Sequence, residues 1–218
     1  MNKNKIKVDD TIEMDLDELM NALASNVSES IKTFDDIVNL DGAINREIYL
    51  GDISGTVGTS VAGYIRFWNR WDDEHNIPIE EREPIKIFID SAGGDLCATF
   101  TMIDAIRLSK TPVWTVNEGA AYSGGFFTFI AGHKRFAYKH SSFLYHEGSA
   151  ETGGTAIQFQ NFSDFYKKRL TQLKEEVLAF TKISEEKYNE IKKDDFWMMA
   201  DEALELGVCD EIITEGYV

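Results

Sequence analysis

The sequence has little positive charge, no long apolar run and almost no cysteine. Its 218 residues include 22 Lys and Arg against 38 Asp and Glu, which gives a formal net charge of −16. Binding to nucleic-acid phosphates requires basic surface, so this balance argues against a nucleic-acid binder. No stretch reaches the roughly 20 apolar residues of a membrane helix, and no apolar run follows the N-terminal lysines. The sequence therefore predicts a soluble, unexported, cytoplasmic protein that does not bind membranes.

The two cysteines, Cys97 and Cys209, are far apart and belong to no CxxC pair. The four histidines do not cluster with them, so the pattern excludes a disulfide framework and contains no structural zinc motif. We expect both cysteines to be reduced thiols in the core. The sequence predicts neither a metal nor a cofactor.

Charge and glycine are unevenly distributed along the chain. Residues 1–83 contain 18 acidic and 8 basic residues, residues 84–156 contain 6 of each, and residues 157–218 contain 14 and 8. The neutral middle third also carries two glycine-rich turns, AGGD at 92–95 and AAYSGG at 120–125. Turns that break strongly patterned segments are common places for functional residues, so we expect the chemistry there.

Hydrophobic periodicity predicts an α/β protein with a repeated strand, glycine turn and helix. The first unit is strand 85–90 with helix 96–109, and the second is strand 113–116 with helix 126–131. The remaining predicted elements are strands in EIYLGDI, at 135–138, at 142–145 and in VCDEII, and helices over 16–31, 61–71 and 157–180. The long helix has an apolar face formed by Phe162, Tyr166, Leu170, Leu173 and Val177. The segment DDEHNIPIEEREP (72–84) lies between the helix at 61–71 and the strand at 85–90, and it is predicted to be a charged surface connection.

Ser123 lies between a strand and an apolar helix, in a run of Gly and Ala. Such a turn can expose a hydroxyl at a helix N-terminus while small neighbours admit a substrate backbone, as in a nucleophile elbow. The alternative is that the small residues only allow the helix and strand to pack closely. Gly93 and Gly94 occupy the equivalent turn, where backbone N–H groups could stabilise an oxyanion or simply form a βα turn.

A serine nucleophile needs a base, and the candidates are His75, His133, His140 and His146. His146 ends an apolar strand and begins a glycine-containing loop, so a rigid element would hold it beside a cleft. An orienting carboxylate could come from Asp194 or Asp195, where the chain passes into the apolar FWMM. The usual role of such a pair is a helix cap, and spacing does not decide between the two roles.

Four segments in this order resemble the proteolytic subunit of Clp protease (ClpP): IKIFIDSAGGD, GAAYSGGFFTFIAG, FLYHEG and DDFWMMADEALELGVCDEII. The similarity covers about four-fifths of the chain, from near FDDIVNL. It implies a ClpP/crotonase-like α/β fold of repeated ββα units with a protruding handle helix. By position it implies Ser123 as nucleophile, His146 as base and Asp195 as orienting acid, with Gly94 and Gly124 as backbone oxyanion donors.

Two of the matched segments depart from the family pattern. The family's Ser-Pro-Gly-Gly is Ser91-Ala92-Gly93-Gly94 here, and its His-Gln-Pro is His146-Glu147-Gly148. The resemblance divides the chain into an acidic N-terminal extension at 1–33, acting as a propeptide or axial segment, and a ClpP-like serine protease domain at 34–218.

The resemblance also implies an assembly and a partner. We expect an ATP-dependent serine endopeptidase that forms a tetradecamer of two stacked heptameric rings, with the helix at 157–180 at the contact between rings. Its partner would be an AAA+ unfoldase such as ClpX or ClpA, and its substrates unfolded polypeptides. The alternatives are a crotonase-like acyl-CoA enzyme, a signal-peptide-peptidase-like protease with Lys134 or Lys139 as base, a phage capsid-maturation protease and an inactive ring subunit.

Overall fold

The computed structural model describes residues 41–218, Val38 and two short strands near the N-terminus. These strands, β1 (Lys5–Asp9) and β2 (Ile12–Asp15), pair antiparallel. The helix predicted from about residue 16 to 31 lies outside the described residues, as does the proposed domain boundary.

The described residues from 41 onward are built on a seven-stranded sheet in which all pairs but one are parallel. Its main path is β3–β4–β5–β6–β9, and β7 pairs with β5 and, antiparallel, with β8. The strands are β3 (Glu47–Leu50), β4 (Ile85–Ser91), β5 (Val113–Tyr122), β6 (Lys134–Tyr138), β7 (Ser142–Tyr145), β8 (Phe196–Met199) and β9 (Glu211–Ile213).

The helices alternate with the strands, as the periodicity predicted. They are α1 (Gly55–Glu74), α2 (Leu96–Arg107), α3 (Gly124–Ile130), α4 (Ala156–Phe180), α5 (Glu185–Ile191) and α6 (Ala200–Glu205), with a 3-10 turn at Ile79–Glu81. Side-chain oxygens of Ser54, Asp95, Thr155 and Ser184 cap the N-termini of α1, α2, α4 and α5. Each accepts from a backbone N–H that has no partner within its own helix.

The main core lies between the sheet and helices α1, α2 and α3. Ile85, Ile87 and Ile89 of β4 are fully buried in it, because alternate residues of a strand face the same side. Phe88 faces the opposite side, where a smaller cluster forms with Val116 and Phe136. Strands buried on both faces are typical of parallel sheets, which explains the nearly continuous apolar run of β4.

β5 is longer than the predicted strand at 113–116. Residues 113–122 are all extended, and the strand changes neighbour along its length. Its first half pairs with β6 and its last three residues, Ala120 to Tyr122, pair with β7. Ala120 and Ala121 of the predicted turn therefore belong to the strand, Gly124 and Gly125 begin helix α3, and the turn itself is confined to Ser123.

The expectation of a charged surface connection at 72–84 is partly wrong, since Asp72 and Arg82 are buried. Asp72 is the last but two residue of α1 and receives two hydrogen bonds from the Arg46 guanidinium, at 2.7 and 2.9 Å. The Thr111 hydroxyl donates a third at 2.6 Å. A buried carboxylate requires such partners, and here they tie β3, α1 and the start of β5 together.

Candidate active site

Ser123 occupies the turn between β5 and α3 in a backbone conformation that side chains rarely adopt. Its φ is 54° and its ψ is −119°. The Ser123 N–H donates to the carbonyl oxygen of Leu144 on β7 at 2.9 Å, which fixes the turn. Strained non-glycine backbone of this kind is concentrated at functional sites, and in a strand–turn–helix it exposes the serine hydroxyl.

His146 lies directly after β7, with its Nε2 2.6 Å from Ser123 Oγ. β7 is held between β5 and β8, so the backbone that carries the imidazole is anchored on both edges. Immediately before His146, the buried Tyr145 hydroxyl donates to Tyr188 Oη on α5 at 2.9 Å. Burial raises the pKa of Tyr145, so this hydroxyl remains a donor. The imidazole is therefore placed within hydrogen-bonding distance of a serine hydroxyl by rigid elements.

Asp195 precedes β8, and strand register brings it near His146. In the antiparallel pair, Tyr145 is opposite Phe196, so the next step places His146 opposite Asp195. Nδ1 of His146 lies 3.6 Å from Asp195 Oδ1, and the Asp195 side chain is 54% exposed. The distance exceeds an ordinary hydrogen bond. The helix-cap alternative for the acidic pair is wrong, because a strand and not a helix follows it.

The second glycine turn, between β4 and α2, lies against Ser123. Gly93 and Gly94 have φ values of 101° and 147°. A Cβ on Gly94 would lie 2.1 Å from the carbonyl oxygen of Ile53, so only glycine fits. Ile53 fixes the turn from both sides, because its N–H donates to the Gly93 carbonyl and its own carbonyl accepts from the Asp95 N–H, at 2.8 and 2.9 Å.

Two backbone N–H groups remain available at the meeting point of the turns. Among the described residues, the N–H groups of Gly94 and Gly124 donate to no protein acceptor. Gly124 begins α3, so no carbonyl of that helix can reach it. The Gly94 nitrogen lies 3.5 Å from the position that a Cβ on Gly124 would occupy, so the two amides are close together. Paired amides beside a serine hydroxyl can stabilise an oxyanion.

A cavity of about 490 Å³ opens over these groups. Its wall combines the two turns, β7, the segment after His146 and helix α4. The lining residues are Ala92, Gly94, Asp95, Leu96, Thr99, Tyr122, Ser123, Gly124, Phe127, Leu144, His146, Glu147, Gly148, Ser149, Tyr166 and Leu173. No Lys or Arg is among them, so neither candidate lysine base faces Ser123. Within residues 41–218 and the two N-terminal strands, no group of His, Cys, Asp or Glu could hold a metal ion.

The other candidate bases lie away from this cavity. His75 stacks on Trp71 with ring centroids 3.9 Å apart, and His133 Nδ1 accepts from the Val113 N–H at 2.9 Å. His140 is exposed in the turn after β6. Lys134 lies 3.5 Å from Glu211, and Lys139 is exposed in the same turn as His140. The structure thus brings together His146 and Ser123, and separates the alternatives from them.

The prediction that both cysteines lie in the core is correct for Cys209 and wrong for Cys97. Cys209 is 2% exposed, and burial raises its pKa to about 11. Cys97 is exposed, because it faces outward from the first turn of α2 while the apolar residues of that helix face the core.

Comparison with known proteins gives the family. The family model described as Clp protease matches residues 78–216, which is well over half of the chain and includes the two turns, His146 and Asp195. The chain belongs to the Clp protease family. Its fold is the ClpP fold, as the sequence predicted, and the family is one of peptidases.

Relatives in this family are bacterial proteolytic subunits of ATP-dependent Clp protease. Subunit 2 of Treponema pallidum is 31% identical over 60% of this chain and 67% of its own length. Subunit 1 of Frankia casuarinae is 28% identical over 84% of both chains. A solved point mutant of ClpP1 from Listeria monocytogenes superimposes with a TM-score of 0.69 over 82% of this chain and 96% of its own, at 22% identity. This last similarity concerns the fold.

Sequence reasoning missed part of the cavity wall. Thr99 and Tyr166 lie on helices whose apolar spacing predicted only packing, yet both line the cavity.

In the described part of the chain, no helix is long and apolar enough to cross a membrane.

Proposed function

We propose that this Clp protease family member is a serine endopeptidase subunit with Ser123 as nucleophile, His146 as general base and Asp195 as the orienting acid. The single observation that supports this best is the 2.6 Å separation of His146 Nε2 and Ser123 Oγ at the floor of a cavity. A histidine within hydrogen-bonding reach of a serine hydroxyl on a strained turn is the arrangement that activates a nucleophile.

The proposed reaction proceeds in two steps. Ser123 Oγ attacks the peptide carbonyl carbon while its proton passes to His146 Nε2, and the carbonyl oxygen becomes an oxyanion held by Gly94 and Gly124 N–H. Nε2 then gives the proton to the departing amine, leaving an acyl-enzyme. A water molecule activated by the same nitrogen hydrolyses the ester and regenerates Ser123.

Asp195 would act on the other side of the imidazole. It would accept a hydrogen bond from Nδ1–H and stabilise the imidazolium that forms after proton transfer. At 3.6 Å and half exposed, it stabilises the imidazolium less than a buried carboxylate in direct contact would. We therefore expect the base to depend strongly on its own backbone for orientation.

The proposed assembly is a tetradecamer of stacked heptameric rings that encloses the active sites. Large apolar side chains on α4 are exposed in the single chain, namely Ile157, Phe159 and Phe165. Large exposed apolar side chains favour a protein contact, here the contact between rings. The related chains are named proteolytic subunits of an ATP-dependent protease, which supports an AAA+ unfoldase such as ClpX or ClpA as partner and unfolded polypeptides as substrates. Native mass spectrometry tests the assembly, and a single-subunit mass at micromolar concentration would contradict it.

The alternatives have less support. A crotonase-like enzyme would use basic residues near the site for the CoA phosphates, and none lines the cavity. A lysine base would require Lys134 or Lys139 at the cavity, and a catalytically inactive ring subunit has no need for the contact between Ser123 and His146.

Replacing the nucleophile tests the proposal directly. Hydrolysis of short fluorogenic peptides by Ser123→Ala should fall at least about 10³-fold, because nucleophilic attack is lost while the oxyanion donors and the cavity remain. Circular dichroism and native mass should match the parent chain. Ser60→Ala removes an exposed hydroxyl on α1 outside this cavity and should leave the rate unchanged. Parent-like hydrolysis by Ser123→Ala would refute the assignment.

A further inference from the structure

Tyr166, on helix α4, contacts the segment that follows the base. Its hydroxyl donates to the carbonyl oxygen of Glu147 at 3.0 Å, and Glu147 is the residue after His146. Tyr166 also lines the cavity over Ser123. Burial raises the pKa of the Tyr166 phenol, and the nearby Glu147 carboxylate raises it further, so the hydroxyl stays protonated.

The segment that receives this hydrogen bond forms no regular secondary structure. Residues 146–155 are neither helix nor strand, and Gly148 has a φ of 75°. Proline fixes φ near −65°, so the backbone here adopts a conformation that is closed to the proline of the family pattern His-Gln-Pro. Glycine adds conformational freedom where a proline would remove it. The hydrogen bond from Tyr166 supplies a constraint to this segment from a neighbouring helix.

Two tyrosine hydroxyl contacts thus bracket the base. On one side Tyr145 bonds to Tyr188 of α5, and on the other Tyr166 of α4 bonds to Glu147. The carboxylate of Asp195 lies 3.6 Å from the imidazole and is exposed, so it constrains the ring weakly. The orientation of His146 toward Ser123 must therefore come largely from the backbone on either side of it.

We propose that Tyr166 is a positioning residue for the general base. By fixing the Glu147 carbonyl, it keeps the His146 imidazole directed at the Ser123 hydroxyl. This rests on the proposed serine protease function, because it concerns the base of that reaction. Tyr166 takes no proton and forms no bond with substrate through its hydroxyl in this role.

Tyr166→Phe tests the proposal because it removes the hydroxyl and keeps the ring. With a short fluorogenic peptide, kcat should fall about 2- to 10-fold, the range expected for the loss of one hydrogen bond. KM should stay within about twofold of the parent value, because the ring still lines the cavity. Hydrogen–deuterium exchange at residues 147–150 should become faster, with the native mass unchanged.

Tyr64→Phe is the matched control. The Tyr64 hydroxyl donates to the Ala43 carbonyl at 2.6 Å, in a different part of the molecule, so its removal should change neither kcat nor exchange at 147–150. An unchanged kcat in Tyr166→Phe would overturn the proposal, whether or not exchange rises, because a merely structural contact could alter exchange alone.

Failure of the proposed function has a different signature. It would appear as a parent chain that hydrolyses no peptide in any oligomeric state. Hydrogen–deuterium exchange at residues 147–150 would then be compared between the parent and Tyr166→Phe. Equal exchange rates would overturn the role of Tyr166 as well. Faster exchange in Tyr166→Phe would support the hydrogen bond that fixes the Glu147 carbonyl, but not a role in catalysis.

Discussion

The two glycine-rich turns have the same place in their strand–turn–helix units and opposite roles. The turn after β4 places glycines at φ values of 101° and 147°, and Gly94 leaves no room for a Cβ. The turn after β5 places a serine at a φ of 54°. One turn can therefore present only backbone, while the other presents a side chain. The comparison teaches that one repeated unit can supply both parts of the proposed acyl-transfer site: each turn contributes a backbone N–H, from Gly94 and Gly124, and only one contributes the nucleophile.

The two turns also hold each other in place. A Cβ on Gly93 would lie 2.7 Å from the Ser123 Cβ and 2.9 Å from the Gly124 nitrogen. The strained serine turn therefore packs directly on the glycine turn. A substitution in either turn should therefore displace the other turn. The displacement should be larger where the substitution moves backbone atoms than where it moves side-chain atoms.

Gly94→Ala should have the larger effect of the two glycine substitutions. The new Cβ would meet a carbonyl oxygen of Ile53 at 2.1 Å, at a φ that alanine rarely adopts, so the backbone must move. Displacing one oxyanion donor typically costs about 10²- to 10³-fold in kcat. Steady-state peptide hydrolysis measures this, with Gly63→Ala as control. A Cβ at Gly63 on α1 meets nothing nearer than Arg66 at 3.8 Å, so that variant should keep its activity. Equal activities of Gly94→Ala and Gly63→Ala would contradict the expectation that the turn after β4 has no room for a Cβ.

Gly124→Ala should have a smaller effect, about tenfold in kcat. Gly124 has no positive φ, and its Cβ would meet the Thr99 hydroxyl at 2.6 Å and a terminal methyl of Ile53 at 3.2 Å, both side-chain atoms that can shift. Adding Thr99→Ala should recover part of the loss, because it removes the nearest obstacle. A loss as large as that of Gly94→Ala, with no recovery in the double variant, would show that both turns are equally intolerant.

Much of the fold could be predicted from the sequence because its signals are local. Alternating Ile85, Ile87 and Ile89 predicted β4, and the apolar spacing predicted α2 and α4 to within about two residues. Signals that depend on distant partners were missed. Burial of Asp72 depends on Arg46, 26 residues away, and the change of neighbour along β5 depends on the position of β7.

The candidate site shows the same difference between local signals and signals that depend on distant partners. Small residues between a strand and a helix made Ser123 and Gly94 candidates, and the resemblance to the proteolytic subunit of Clp protease implied their roles. Spacing alone left Asp194 and Asp195 open and the resemblance implied Asp195, which the register of β8 against β7 places opposite His146. The contact of Tyr166 with Glu147 was invisible in the sequence, since only the folded chain brings α4 onto the segment after His146.

Covalent trapping of the nucleophile tests the central claim most directly. Treatment of the assembled protein with a fluorophosphonate probe, followed by peptide mass spectrometry, should give one adduct, on Ser123. His146→Ala should abolish the adduct, and Asp195→Asn should slow its formation by a smaller factor, because that carboxylate is exposed and 3.6 Å from the imidazole. An adduct on another residue, or no adduct in a protein that hydrolyses peptides, would contradict the account.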